Sequence, residues 1–267
     1  MKDIINKNHD GDCIKIMGDL PKGKINLVLT DPPYNASNGG VNLPDNKTGG
    51  AYYKVNEKWD KFSYEDYMDF TKKWIDEADK ILAPNGSMMI CGSLHNIGEV
   101  IIALKDKGYK FINLITWRKT NPMPSITKRT LTHSTEFIAW FAKGKGWKFN
   151  YNNMKKYNQG KQLRDVWEFS VCQGSERIKG ENGRAAHPTQ KPLELFTRLI
   201  EMATDEGDIV IDPFMGSGTT ALASMQLNRN WIGIDNNKEY IDLANKRINK
   251  HKMNTKLKDY SSLTPKL

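Results

Sequence analysis

Cysteine is scarce in this chain of 267 residues: Cys13, Cys91 and Cys172 are odd in number and far apart. That excludes a disulfide framework and a Cys-x-x-Cys zinc site, and reduced thiols in a cytoplasmic protein are the expectation. Long apolar runs are missing as well. None approaches the about 18 residues of a spanning helix, and the opening MKDIINKNHDGD has no apolar signal core, so neither secretion nor membrane insertion is expected. No internal repeat is visible. His95, His133 and His187 sit in separate segments without ligand spacing, so no metal site is expected. Acids are the minority charge, 31 against 40 Lys and Arg, for a formal charge of +9 and a pI near 9.2. Such a balance fits nucleic acid or another anionic surface as partner without requiring one.

What is present is an alternation of apolar runs with helical-period segments, the pattern of a mostly parallel sheet covered by helices. Strands are expected at Ile25 to Thr30, Ser87 to Cys91, Phe111 to Trp117, Glu136 to Phe141, Ile209 to Ile211 and Trp231 to Ile234. Helices are expected near Tyr64 to Leu82, Ile97 to Lys107, Leu193 to Thr204, Thr219 to Asn228 and Lys238 to Asn249. APNG at Ala83 to Gly86 and KDKG at Lys105 to Gly108 resemble helix ends with a C-cap glycine. Length alone allows one large domain or two small ones.

Two stretches break the alternation. Asn35 to Lys58 holds five Asn and four Gly, which suggests a mobile loop acting as a lid or contacting a partner, with Trp59-Asp60 a candidate anchor for its far end. Lys143 to Lys191 carries eleven Lys or Arg against four Asp or Glu, net +7, interleaved with Trp147, Phe149, Tyr151 and Tyr157. Cations neutralise phosphates and aromatic faces stack on bases, so this stretch suits nucleic acid, solvated surface being the alternative. The last residues read as a frayed basic tail.

Two motifs carry chemistry. VLTDPPYN ends a strand on Asp31 and then stiffens the next two peptide units, since proline fixes its own φ and restrains the residue before it. Rigid acceptors beside a carboxylate are the result, an ordinary turn being the bland alternative. IVIDPFMGSGTTALAS reads as strand, acid, glycine turn and helix; Gly216 and Gly218 allow positive φ and close approach of a ligand. Roughly twenty residues on, WIGID ends a strand on Asp235, suited to two ribose hydroxyls. Gly216, Gly218, Ala221 and Asp235 also satisfy the dinucleotide fingerprint, so an NAD-dependent oxidoreductase stays open, as does a turn that binds nothing. Asp212, just ahead of the turn, would repel a pyrophosphate but suits an amino group.

TDPPYN, AHPTQKP and DPFMGSGTT in this order, with GSLHN, TWRKTNP and THSTE between the first two, resemble the β group of S-adenosylmethionine-dependent DNA amino-methyltransferases, close to the adenine-N6 enzymes of bacterial restriction-modification systems. The resemblance spans about Gly11 to Arg247. It implies a Rossmann-like α/β fold: a doubly wound, mostly parallel seven-stranded sheet with one antiparallel strand, plus a small target-recognition insertion. The implied organisation is a catalytic half over 1–142 with the mobile loop at 35–58, target recognition over 143–186, a cofactor half over 187–250 and a basic tail over 251–267.

By the same resemblance Asp31, Pro32, Pro33 and Tyr34 are catalytic. S-adenosylmethionine would be held by Asp12, Asp31, Thr189, Lys191, Asp212, Phe214, Gly216, Ser217, Gly218, Thr219 and Asp235, with Lys191 on the methionine carboxylate. DNA would meet Asn35, Lys155, Lys156 and Arg164. The resemblance implies DNA as partner, and admits a second copy of the chain and a restriction endonuclease acting on the same site. An adenine amine is a poor nucleophile until Asp31 and a Pro32 or Asp31 carbonyl accept its N–H groups, and the base must first leave the helix, Tyr34 offering it an aromatic face. No cysteine follows a proline, which sets aside cytosine C5 chemistry. Cytosine N4 remains open, with the acid at Asp31 favouring adenine.

Overall fold

The computed structural model describes residues 1–35, 60–125, 128–180 and 183–263, with side chains as far as 253 in the last helix. The loop expected at 35–58 therefore lies outside the described residues except for Asn35. Eight strands form one sheet: β1 (Lys7–Asp10), β2 (Ile25–Thr30), β3 (Leu82–Gly92), β4 (Lys110–Lys119), β5 (Thr135–Ala142), β6 (Val166–Phe169), β7 (Ile209–Asp212) and β8 (Asn230–Asp235). Around it run α1 (Cys13–Gly18), α2 (Tyr64–Ile81), α3 (Ile97–Asp106), α4 (Tyr151–Met154), α5 (Leu193–Ala203), α6 (Thr219–Gln226) and α7 (Lys238–Leu263). The sheet order is β1-β8-β7-β2-β3-β5-β4-β6, with every pairing parallel except the two made by β5. One antiparallel strand is as expected; the eighth strand is β6, an edge strand in the region assigned to target recognition.

Period-two alternation splits the central strands between two cores. Val28, Met88, Ile90, Phe141 and Ile211 face Met17 of α1, Trp74 and Ala78 of α2 and Leu104 of α3. Leu27, Leu29, Met89, Cys91 and Trp140 face Leu195 and Leu199 of α5 and Ala223 of α6. A strand covered on both faces favours apolar residues at successive positions, which is why Leu27 to Leu29 and Met88 to Cys91 read as continuous runs. The chain changes direction across the sheet between β2 and β7, and ligands bind doubly wound sheets at the carboxyl ends of strands at such a point.

Some boundaries differ from the expectations. Leu82 leaves α2 in extended geometry, φ −69° and ψ 135°, so Ala83 to Gly86 belong to β3 and not to a helix cap. A Cβ on Gly86 would stand 2.7 Å from the Leu82 side chain, so packing against Leu82 explains that glycine. Gly108 does end α3, with φ 80°, its N–H on Lys105 O at 2.9 Å and that of Tyr109 on Leu104 O at 3.1 Å. The expected tail continues α7 to Leu263.

Candidate active site

A cavity of about 340 Å³ opens at the carboxyl ends of β1, β2, β7 and β8. Its wall contains Asp12, Asp31, Pro32, Pro33, Tyr34, Thr189, Lys191, Asp212, Phe214, Gly216, Ser217, Thr219 and Asp235, so the structure brings together the residues expected to be catalytic and, except Gly218, those expected to hold a cofactor, but none of those expected to meet DNA.

The glycine turn folds against β8. Met215 N–H donates to Ile234 O at 2.9 Å, and Asp235 accepts Gly216 N–H at 2.8 Å and Asn237 N–H at 2.9 Å. Burial raises the Asp235 carboxyl, and those backbone donors pull it back. Gly218 is the exception among the residues expected to hold a cofactor. It adopts φ 76°, caps α6 and turns its back on the cavity, where a Cβ would meet Ala244 Cβ of α7 at 2.8 Å. Arg247 of α7 completes this brace, donating to Ser217 O at 3.2 Å and Thr219 Oγ1 at 2.9 Å. Asp212 is buried, taking hydroxyls from Thr30 at 2.7 Å and Thr220 at 2.5 Å, and burial lifts its pKa to about 7. Asp12 caps α1 through the N–H groups of Ile14 and Lys15 at 2.8 and 3.1 Å.

An apolar end is formed by Phe214, edge-on to Trp74 at 5.5 Å and to Phe70 at 5.8 Å between ring centroids. His187, read from sequence only as a non-ligand, also lines the cavity. Its ring packs on Tyr240 at 4.5 Å, Nδ1 is buried without a hydrogen-bond partner, and burial lowers its pKa to about 3, so it is neutral.

Around Asp31 the structure adds residues that sequence reasoning missed. Tyr34 Oη donates to Asp31 Oδ1 at 2.5 Å, and Lys191 Nζ to Asp31 Oδ2 at 2.5 Å. Lys191 thus meets a protein carboxylate, where the sequence suggested a ligand's. Glu136 stands 3.5 Å from both Lys191 Nζ and Tyr34 Oη, and its other oxygen holds Lys119 Nζ at 2.7 Å. Burial lifts the Asp31 carboxyl and Lys191 counters it; burial also opposes the charge on Lys191, but Asp31 and Glu136 outweigh that and keep it an ammonium. Burial and then Asp31 raise the Tyr34 phenol, which stays a donor.

The turn itself is clasped from behind. Asp60 Oδ1 accepts the N–H groups of both Tyr34 and Asn35 at 2.7 Å, while Asn35 Oδ1 accepts Phe62 N–H at 2.9 Å, so Asp60 fastens onto the turn, and Trp59, the other residue of the expected anchor, lies outside the described residues. Tyr67 Oη donates to Pro33 O at 3.2 Å. Replacing Asp60 by Ala leaves two N–H groups without this acceptor and is expected to cost about 1–3 kcal/mol of stability, measured by urea unfolding. Unchanged stability would mean that water replaces the carboxylate.

Lys155, Lys156 and Arg164 do not join the site. Lys156 pairs with Glu201 in the last turn of α5, toward the amino-terminal edge of the sheet, and Lys155 lies over Tyr151 at 4.6 Å. Arg164 is exposed ahead of β6, its carbonyl accepting the Trp167 indole at 2.6 Å. The connections that follow the carboxyl ends of β4 and β6 lie on the cavity side instead, and these contain Lys128, Arg129, Arg177 and Lys179.

A doubly wound sheet with a glycine turn facing one acid-ended strand and a Pro-Pro turn on another defines the class of Rossmann-like methyltransferases. The chain belongs to the DNA methylase family, whose model matches residues 25–246. It is 43% identical over 244 residues to the Type II methyltransferase M2.LlaDCHI of Lactococcus lactis subsp. cremoris, covering 90% of this chain and 87% of that one. With M2.DpnII of Streptococcus pneumoniae it shares 42% over 256 residues, 92% of each. Among solved structures, the M1.HpyAVI–SAM complex superposes with a TM-score of 0.66 at 31% identity, over 91% of this chain and 98% of that one. The cytosine-N4-specific PvuII DNA methyltransferase, at 21% identity and a TM-score of 0.69 over 89% and 84%, shares the fold.

Proposed function

We propose that this chain transfers the methyl group of S-adenosylmethionine to N6 of adenine in a short DNA target, pairing with a restriction endonuclease of the same target in the cytoplasm. The observation that carries the reading is the Asp31 carboxylate, held at the cavity by Tyr34 and Lys191 within the same wall as the glycine turn.

The cavity fits the cofactor. Asp235 presents a carboxylate already aligned by two backbone donors, Phe214 offers an aromatic surface, and the orphaned Nδ1 of His187 is a polar group awaiting a partner. Asp12, Thr189, Asp212, Gly216, Ser217 and Thr219 complete the cradle, and Gly218 shapes it from behind. Bound there, S-adenosylmethionine supplies an electrophilic methyl group on a sulfonium. Asp31 would accept one N–H of the extruded base and the Pro32 carbonyl the other, so that the nitrogen lone pair is freed from the ring and aimed; the surplus N–H proton would pass to Asp31 and on to water, the donor being left as a neutral thioether. Pro32 and Pro33 hold the Pro32 carbonyl and the backbone that carries Asp31 rigid, so the turn itself need not reorganise as charge develops, an effect worth about several kcal/mol. The Tyr34 ring, fixed by its bond to Asp31, walls the base pocket; stacking of this kind contributes about 1–3 kcal/mol per base.

Digestion of DNA methylated by the protein, with its nucleosides resolved by mass spectrometry, tests the reading. N6-methyladenine is expected; N4-methylcytosine, or no transfer, would overturn it.

For DNA contact we assign the connections after β4 and β6, because they share the cavity's side of the sheet. Lys128 and Arg129 are exposed there. Reversing both charges should weaken binding across sequences and reduce the salt slope by about 1 per lost phosphate contact. Lys155→Glu with Lys156→Glu should leave that slope unchanged; the opposite pattern in fluorescence anisotropy titrations would return the interface to the 143–158 segment.

A further inference from the structure

Glu136 is a half-buried carboxylate beside the reacting group that the mechanism above leaves without a task. Asp31 has both oxygens engaged, Oδ1 by Tyr34 and Oδ2 by Lys191. Each oxygen keeps a second lone pair for an amine N–H, but it accepts that N–H more strongly the less its charge is drawn by the ammonium. Lys191 cannot simply withdraw to solvent, because its side chain is only 8% exposed and an unpaired buried ammonium is strongly disfavoured. Glu136 Oε2 stands 3.5 Å from the same Nζ, too far for a tight bond and near enough to become one after a small rotation. Lys119, at 2.7 Å on Oε1, anchors that carboxylate from the far side. Lys119, Glu136, Lys191 and Asp31 thus form an alternating chain with no net charge.

We propose that Glu136 is a positioning residue acting through Lys191: it offers the ammonium a second anionic seat, so that Asp31 can meet the target amine with more of its charge free and without stranding a buried cation. The Lys191 ammonium also stands 5.2 Å from the Tyr34 ring centroid. Its shift toward Glu136 therefore readjusts both groups that meet the base. The inference rests on the proposed methyl transfer. Loss of S-adenosylmethionine binding in the wild-type protein would sink that reading, whereas the variants below sink this one alone.

Glu136→Gln keeps the shape and removes the seat. Lys191 then stays on Asp31, and kcat for DNA methylation is expected to fall about tenfold to 10²-fold, with S-adenosylmethionine affinity in calorimetry within about threefold of wild type. A purely structural role would stop there, but this one also moves the pH profile. Glu136 raises the Asp31 pKa through repulsion. Its removal lowers that pKa, so the acid limb of kcat, which needs ionised Asp31, should move to lower pH. Lys119→Met leaves Glu136 in place but unanchored and should show a smaller fall in kcat; it carries the test should Glu136→Gln not melt cooperatively. A kcat within about threefold of wild type in the tested variant, or a fall in Glu136→Gln with the acid limb unmoved, would overturn the proposal.

Discussion

Asp31→Asn is expected to lower the rate of methyl transfer about 10³-fold while the protein still binds S-adenosylmethionine. The carboxylate takes a hydroxyl on one oxygen and an ammonium on the other. An amide offers one acceptor and one donor. Its oxygen would go to Lys191, the stronger partner, and its NH₂ group would face the Tyr34 hydroxyl, leaving only a neutral oxygen already held by Lys191 to receive the target amine. The same change leaves Lys191 with Glu136 as its one close anion, and removing half of a buried ionic pair typically costs about 3–5 kcal/mol of stability. A melting curve belongs beside the kinetics: with the variant folded at the assay temperature, a rate within tenfold of wild type would remove Asp31 from the chemistry.

The contrast between Asp31 and its partners shows what was legible in the chain. Asp31 stands in a motif of adjacent residues, each with a local reason: two prolines restrict φ, an apolar run before them makes a strand, and an acid ends it. Lys191 was also marked, but for a different partner, because its contact with Asp31 spans 160 positions of sequence. Glu136 is 102 positions from Tyr34 and reaches it and Lys191 because β5 runs antiparallel, which brings its first residues to the end where its neighbours finish. No local pattern encodes that reversal. The basic stretch illustrates the same limit. Its composition suits nucleic acid, yet β5 descends to the opposite edge before the run of cations begins, and Lys148 and Lys156 are spent on Asp205 and Glu201 there.

Strand recognition followed burial in the same way. Leu27 to Leu29 of β2 and Met88 to Cys91 of β3 are buried apolar runs between two helical layers, so these strands read clearly. β1, Lys-Asn-His-Asp, is an edge strand with no buried position, and the backbone ladder to β8 rather than apolar alternation makes it. In β6 the alternation is present, Trp167 and Phe169 in and Val166 and Glu168 out, but four residues inside a polar stretch are too short a signal to separate from a loop.

Gly216 and Gly218 look equivalent in the turn, and their substitutions should nonetheless fail differently. A Cβ on Gly216 would lie 2.6 Å from His187 Nε2, inside the cavity wall, with φ at 50°. Gly216→Val must push His187 and the ring of Tyr240 behind it, and strain the left-handed backbone by about 1–2 kcal/mol besides. S-adenosylmethionine affinity is expected to fall beyond about 10²-fold, a loss of about 3 kcal/mol in calorimetry. Gly218→Ala meets Ala244 Cβ at 2.8 Å, so α7 must yield before the cavity changes. Its first effect should be a lowered melting temperature. Adding Ala244→Gly removes the clash but not the φ strain, and by itself costs about 1 kcal/mol in a helix. The double variant should therefore be more stable than Gly218→Ala despite that second cost. If it is less stable, the contact with Ala244 is not what requires glycine at 218, and backbone conformation alone does.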